Sequence, residues 1–264
     1  MSYNTSLIVL IVLYLFRLKY LDAQDEEKEI ENVDVSNLKF PHEAVMFKRN
    51  KFVCGGAILR NKFVIFPAHC FPKTQLLSLY TVGVSKNTKS QFRKHDVAEI
   101  YIHESYDLDT SENDLAIVRL TEAMKFDAFT NLVILSEQVL VDAKCLTVGY
   151  GSAHISKDAA RLLNKNVTVV EKENCMIIGS SKICVEAEKS FCDAEYGNYV
   201  LCNNTLAGIF TTHPDLICTK THVYTNVFEY KDWILQRLNR ADLSLNVSFS
   251  VLCSLLSIII ILNY

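Results

Sequence analysis

The chain reads CGGAILRNKFVIFPAHC at residues 54–70. Two short apolar runs flank the polar turn Arg60-Asn61-Lys62, and a cysteine stands at each end. Similar apolar runs of strand length occur at residues 51–53, 79–84, 97–102 and 115–120. Strands of this length and spacing, separated by polar turns, predict an all-β sandwich or barrel. Residues 229–238 differ, because Tyr230, Trp233, Ile234 and Leu238 recur at helical spacing.

Composition indicates a folded, secreted protein. Of the 264 residues, 50% are hydrophobic and 22% charged, which is ordinary for a globular domain. A net charge of −3 favours neither nucleic acid nor an anionic membrane as a partner. The chain has nine cysteines, more than a cytosolic protein would usually keep as free thiols, so disulfides are expected.

The ordered motifs resemble the trypsin-like serine protease family. The blocks are CGGAIL (54–59), FPAHC (66–70), NDLAIVRL (113–120), CLTVGYG (145–151), CDAEYGNYVLC (192–202) and VYTNV (223–227), the last leading to Trp233 and Ile234. The resemblance covers roughly residues 40–237. It implies two six-stranded antiparallel β-barrels, a C-terminal helix, and a functional site in the cleft between the barrels.

The flanking segments suggest a secreted or tethered protein. Residues 1–23 are predicted to be a signal peptide, because 7–16 form an apolar run too short to span a bilayer easily; a signal anchor is the alternative. Residues 24–39 form an acidic N-terminal segment, and 40–240 form the protease homology domain. Residues 241–264 form a hydrophobic tail that ends without basic residues, which favours a GPI signal over a membrane span.

Eight cysteines remain for the domain once Cys253, inside the apolar tail, is set aside. Eight cysteines allow 105 connectivities, and spacing alone does not choose between them. The family resemblance implies one set of pairs: Cys54–Cys70, Cys145–Cys202, Cys175–Cys184 and Cys192–Cys218.

The resemblance also places a degenerate catalytic triad in the chain. His69 and Asp114 stand at the positions of the base and of the aspartate that orients it. Tyr196 stands at the position of the nucleophilic serine. A phenol oxygen projects farther from the backbone than a seryl hydroxyl, and its reference pKa of about 10 leaves it poorly activated. We therefore predict no functional catalytic residue.

Two further positions in the same loop depart from the family pattern. Ala194 replaces the glycine of the oxyanion hole, although that backbone conformation is one that glycine adopts most cheaply. Glu195 replaces the aspartate that pairs with the new N-terminus after activation. The activation motif itself is missing, because residues 29–33 read EIENV.

The specificity pocket is predicted to be degenerate as well. Ser190 lies at the position that forms its base, Thr211, Thr212 and His213 replace a serine-tryptophan-glycine segment, and His222 replaces a glycine that keeps the pocket open. His69, His213 and His222 could in principle approach a common metal, but they lack the spacing of ligands, so pocket filling is favoured and no metal is expected.

These observations predict an inactive homologue that acts outside the cell by binding a protein, such as a protease, inhibitor or receptor. Asn166 and Asn203 begin glycosylation sequons. No cofactor, nucleic acid or membrane contact beyond the tail is expected. The alternatives are a trypsin-like endopeptidase of altered mechanism and a structural or adhesive surface protein.

Overall fold

The computed structural model describes residues 40–86, 91–155, 160–175, 181–191, 199–211 and 219–239. The strands are β1 (Glu43–Lys48), β2 (Lys51–Arg60), β3 (Phe63–Phe66), β4 (Tyr80–Ser85), β5 (Phe92–Ile102), β6 (Ala116–Leu120), β7 (Ile134–Leu135), β8 (Lys144–Ile155), β9 (Ala160–Val170), β10 (Lys182–Phe191), β11 (Tyr199–Cys202), β12 (Thr205–Phe210) and β13 (Thr219–Asn226). One helix, α1, covers residues 231–239.

The first six strands form a closed antiparallel barrel in the order β1-β2-β3-β6-β5-β4. The stretch at residues 54–70 supplies most of β2, the turn and all of β3, and then a 3₁₀ turn at Ala68–Cys70. Gly56 is required by a close approach of the two strands, since a Cβ there would lie 2.3 Å from the carbonyl oxygen of Ile65.

The second half of the chain forms a second closed barrel. Its pairings run β8-β9-β10-β13-β12-β11 and return to β8, and all of them are antiparallel. The two-residue strand β7, in the segment that links the barrels, adds to β12 in parallel. The predicted fold, two six-stranded antiparallel barrels with a C-terminal helix, is confirmed.

Each barrel has its own core, and a further apolar cluster lies between the barrels. The first barrel buries side chains such as Val64 and Phe66, and the second buries Val185 and Tyr224. The cluster between them combines residues of both halves with α1. Its members include Phe40, Val45, Leu115, Val148, Tyr199, Leu206, Ile234 and Leu238.

The C-terminal helix starts two residues later than the apolar spacing predicts. Val227–Tyr230 form a 3₁₀ turn because the side chain of Asn226 accepts a hydrogen bond from the N–H of Phe228 at 3.2 Å, and α1 follows at 231. The helix packs on the first barrel. Trp233 Nε1 donates to Glu104 at 2.8 Å, Arg237 pairs with the same carboxylate, and Arg60 donates to the carbonyl of Leu238 at 3.4 Å.

Three of the four implied disulfides are present: Cys54–Cys70, Cys145–Cys202 and Cys175–Cys184. The fourth, Cys192–Cys218, lies outside the described residues, as do the predicted signal peptide, acidic segment and tail. Within the part of the chain that the structure describes, no helix is long and apolar enough to cross a membrane.

Candidate functional site

His69 and Asp114 meet where the first barrel faces the second. His69 lies in the 3₁₀ turn that follows β3, and Asp114 lies just before β6. The ring Nδ1 of His69 is 2.7 Å from Asp114 Oδ2, and the backbone N–H of His69 donates to Oδ1 at 2.9 Å. Asp114 is fully buried, whereas the His69 side chain is 11% exposed.

Thr211 gives Asp114 a third hydrogen bond. Its hydroxyl, on a residue only 1% exposed, donates to Oδ2 at 2.7 Å. The sequence placed Thr211 in the specificity pocket and did not predict this contact. Thr211 and the His69 backbone hold the Asp114 carboxylate in position. The carboxylate can then accept a hydrogen bond from Nδ1 of His69, which directs Nε2 of the same ring away from Asp114. This is the arrangement of an oriented imidazole base.

Tyr106 lies beside this pair and was also not predicted. Its hydroxyl is buried and makes no hydrogen bond to any described residue. Burial, together with the negative charges of Asp114 and Asp107, raises the pKa of Tyr106 to about 12. The phenol is therefore neutral at physiological pH.

We expect Thr211→Val to destabilise the fold, because Asp114 would lose a donor at a site closed to water. A lost buried hydrogen bond costs about 1 kcal/mol, which corresponds to a melting temperature lower by about 3 °C. Thermal unfolding followed by circular dichroism measures this. Thr211→Ser keeps the hydroxyl and should retain most of the stability. Equal losses in both variants would contradict a role for the hydrogen bond.

Several predicted site residues lie outside the described part of the chain: Tyr196, Ala194, Glu195, Thr212 and His213. Ser190 lies in β10, but its side chain is likewise outside the described residues. His222 lies in β13 opposite Val185 and is partly buried. Among the described residues, one cluster has metal-ligand types, Cys54, His69 and Cys70, and its two sulfurs are joined in a disulfide.

A second polar cluster lies at the start of β1 and β11. His42 is 7% exposed and Glu43 3%, and both lie near the fully buried Tyr199, whose hydroxyl is 3.4 Å from His42 Nδ1. The ring of His42 also stacks on Phe40 and meets Tyr199 edge-on. Neither carboxyl oxygen of Glu43 makes a hydrogen bond of standard geometry to any described residue.

Burial shifts both ionisable groups of this cluster towards their neutral forms. It lowers the pKa of His42 to about 4. It raises the pKa of Glu43 well above its usual range, and the nearby Tyr199 hydroxyl opposes that shift only in part. No sequence motif indicated this cluster, because the burial that shifts these pKa values depends on how the two barrels pack.

The two predicted glycosylation sites lie on the surface of the second barrel. Asn166 is exposed in β9, opposite Leu146. Asn203 is exposed in the turn between β11 and β12, with φ 53°. Both positions are accessible to a modifying enzyme, and their glycosylation stays a prediction.

Comparison with known proteins places the chain in a family. The sequence model described as Trypsin matches residues 30–234. Human kallikrein-11 is 24% identical over 217 residues, covering 75% of this chain and 76% of the relative, and chicken trypsin I-P1 is 24% identical over 230 residues, covering 81% and 90%. The chain therefore belongs to the trypsin family.

Solved structures agree on the fold. Neuropsin, a serine protease of mouse brain, superposes with a TM-score of 0.66 at 21% identity, covering 76% of this chain and 96% of that one. The scabies mite inactivated protease paralogue S-D1 gives a TM-score of 0.68 at 23% identity, covering 77% and 94%. At these identities the likeness concerns the fold alone.

Proposed function

We propose that the chain is a non-catalytic member of the trypsin family that acts by binding another protein outside the cell. One sequence feature carries this proposal: in the alignment of motifs that the resemblance implies, Tyr196 falls where the family has its nucleophilic serine. The His69–Asp114 pair supplies an oriented base, but acyl transfer also needs a nucleophile within hydrogen-bond reach of that base. A phenol at this position is too long and too weakly acidic to replace the serine.

The surrounding substitutions support the same conclusion independently. Ala194 disfavours the backbone conformation that forms an oxyanion hole, and losing one such donor costs about 10² to 10³ in rate. Glu195 and the absent activation motif remove the usual route from zymogen to active enzyme. Restoring one serine would therefore leave several defects in place.

The retained base pair favours a second candidate, an endopeptidase of altered mechanism. Its geometry, with 2.7 Å between His69 Nδ1 and Asp114 Oδ2, is suitable for catalysis. The buried carboxylate has a structural role that explains this geometry without catalysis, since it satisfies three donors from two parts of the chain. A structural or adhesive role is the remaining alternative.

Other features support an extracellular, protein-binding role. The three disulfides suit an oxidising compartment. The N-terminal apolar run supports secretion, and the hydrophobic tail supports anchoring to the outer face of the plasma membrane. One of the similar structures is that of an inactivated protease paralogue, and a rigid double barrel with displayed loops is well suited to recognising another protein.

We expect the full chain, produced in a secretory host, not to react with a fluorophosphonate probe, while active trypsin in the same assay is labelled. We also expect Tyr196→Ser to give no measurable hydrolysis of peptide substrates. Labelling of the wild-type chain that disappears in His69→Ala would refute the non-catalytic proposal. Proteolysis by Tyr196→Ser would show that the tyrosine is the sole defect.

A further inference from the structure

A groove on the second barrel, away from His69, combines apolar walls with acidic rims. It has a volume of about 350 Å³ and is lined by Val139 and Val141 from the linker between the barrels, Val170 at the end of β9, and Phe228 before α1. Val141 is 45% exposed and Phe228 41%. We call this the Val141 groove. Contact with a partner here would remove the exposed apolar surface of these two side chains from water.

The walls of the Val141 groove are fixed to one another. The N–H of Asp142 donates to the carbonyl of Val169 at 2.8 Å, and the N–H of Val169 donates to Ala143 at 3.0 Å. Lys231 Nζ lies 2.6 Å from Glu137, which ties the linker to the start of α1. A groove that is already formed loses little conformational entropy when a partner binds.

The rim of the groove is negatively charged. Glu171, Glu173 and Glu229 line it with exposed carboxylates, and Lys172 is the single basic residue among the described lining residues. Apolar walls favour aliphatic side chains, and a rim of this sign favours a basic ligand. The volume is at the small end of the range for ligand pockets, about 300 to 1,000 Å³, and suits one or two side chains.

We propose that the Val141 groove binds a segment of the partner protein in which basic residues flank one or two aliphatic side chains. The proposal rests on the proposed protein-binding function and names the site and chemistry of its partner. The chain's own N-terminal segment is a poor occupant, because Glu26, Glu27, Glu29 and Glu31 would be repelled by the rim. A second copy of the chain would also bring net negative charge to the rim.

A larger depression on the same barrel does not carry this proposal. Its volume is about 1030 Å³, but the two predicted glycosylation sites, Asn166 and Asn203, both line it. Glycans at these positions would cover that surface. The Val141 groove has no sequon among its described lining residues.

The test uses a fluorescein-labelled heptapeptide of alternating lysine and leucine, titrated with the full chain and followed by fluorescence anisotropy. We expect saturable binding that Phe228→Ala and Glu173→Lys each weaken by about tenfold. Peptides with glutamate in place of lysine, or glycine in place of leucine, should bind at least about tenfold more weakly. Circular dichroism confirms that each variant remains folded.

Two control variants separate groove binding from general attraction. Glu122→Lys changes the net charge as Glu173→Lys does, and Leu76→Ala removes an apolar side chain that is 64% exposed elsewhere. Both should bind the heptapeptide as the wild type does. Equal weakening by the controls, no saturable binding, or equal binding of the glutamate peptide would overturn the proposal.

The remaining outcomes are also decisive. If sedimentation shows concentration-dependent dimers that Phe228→Ala abolishes, the occupant is a second copy and the basic segment is excluded. Fluorophosphonate labelling of the same preparation tests the proposed function separately. A chain that reacts with the fluorophosphonate and still binds the heptapeptide would refute the non-catalytic proposal. It would leave the proposed ligand of the Val141 groove unaffected.

Discussion

Asp114→Ala is expected to lower the melting temperature by about 10 °C, although we propose that the chain catalyses nothing. The carboxylate is fully buried and accepts hydrogen bonds from the His69 backbone, the His69 ring and the Thr211 hydroxyl. Its removal leaves these donors without an acceptor in a region closed to water. Such a loss costs about 3 to 4 kcal/mol, and each kcal/mol corresponds to about 2 to 4 °C.

Differential scanning calorimetry of the wild type and the variant measures this effect. Asp109→Ala provides a matched control, because Asp109 is exposed and its replacement should change the melting temperature by less than about 2 °C. His69→Ala should be milder than Asp114→Ala, since it removes one donor and keeps the acceptor. An Asp114→Ala variant as stable as the control would refute the structural role of the pair.

Glu43→Gln should have the opposite effect and raise the melting temperature at pH 8 by about 5 °C. A buried carboxylate without a cation costs several kcal/mol once it ionises, and neither oxygen of Glu43 is hydrogen-bonded with standard geometry to a described residue. The glutamine amide is also costly to bury, by about 1 to 3 kcal/mol. A net gain of about 2 kcal/mol accounts for the expected rise.

The pH dependence of this difference has a definite sign. Burial raises the folded pKa of Glu43 above its unfolded value of about 4.3. Its contribution to stability is therefore complete below that pH and is lost as the pH rises towards the folded pKa. The advantage of Glu43→Gln should accordingly be small at pH 4 and grow towards pH 8.

His42 contributes with the opposite sign and is present in both proteins. Burial lowers its pKa from 6.5 to about 4, so its contribution is complete above the unfolded value and is lost as the pH falls through the folded one. The contribution of His42 therefore cancels in the difference between the melting temperatures of the wild type and Glu43→Gln, and the remaining pH dependence belongs to Glu43. An exposed control, Glu122→Gln, should show no growing advantage, and a Glu43→Gln protein less stable than wild type at pH 8 would contradict the prediction.

Local patterns predict an all-β fold, because short apolar runs separated by polar turns are typical of strands. The two barrels and three of the disulfides could be predicted only through the family resemblance, which the ordered blocks around Cys54, His69 and Asp114 carry. The helix boundary was wrong by two residues because a side chain cap, from Asn226, creates a 3₁₀ turn before α1. The spacing of apolar residues does not distinguish a 3₁₀ turn from a turn of α-helix.

What the sequence did not predict depends on packing between distant segments. Glu43 and Tyr199 belong to different barrels, and burial at their interface sets their chemistry. The hydroxyl of Thr211 contacts Asp114 although the two residues are 97 positions apart along the chain. The Val141 groove likewise joins the linker, the end of β9 and the turn before α1.

The contact between Arg60 and the end of α1 has a mechanical consequence. The guanidinium, on a strand of the first barrel, holds the Leu238 carbonyl and the side chain of Asn239, while α1 continues from the last strand of the second barrel. A force applied to the chain beyond Asn239 would therefore load both barrels together. To peel the helix away, it would first have to break the attachments of Arg60, then Arg237 and then Trp233, in that order from the chain end, so the first barrel shares the load until α1 detaches.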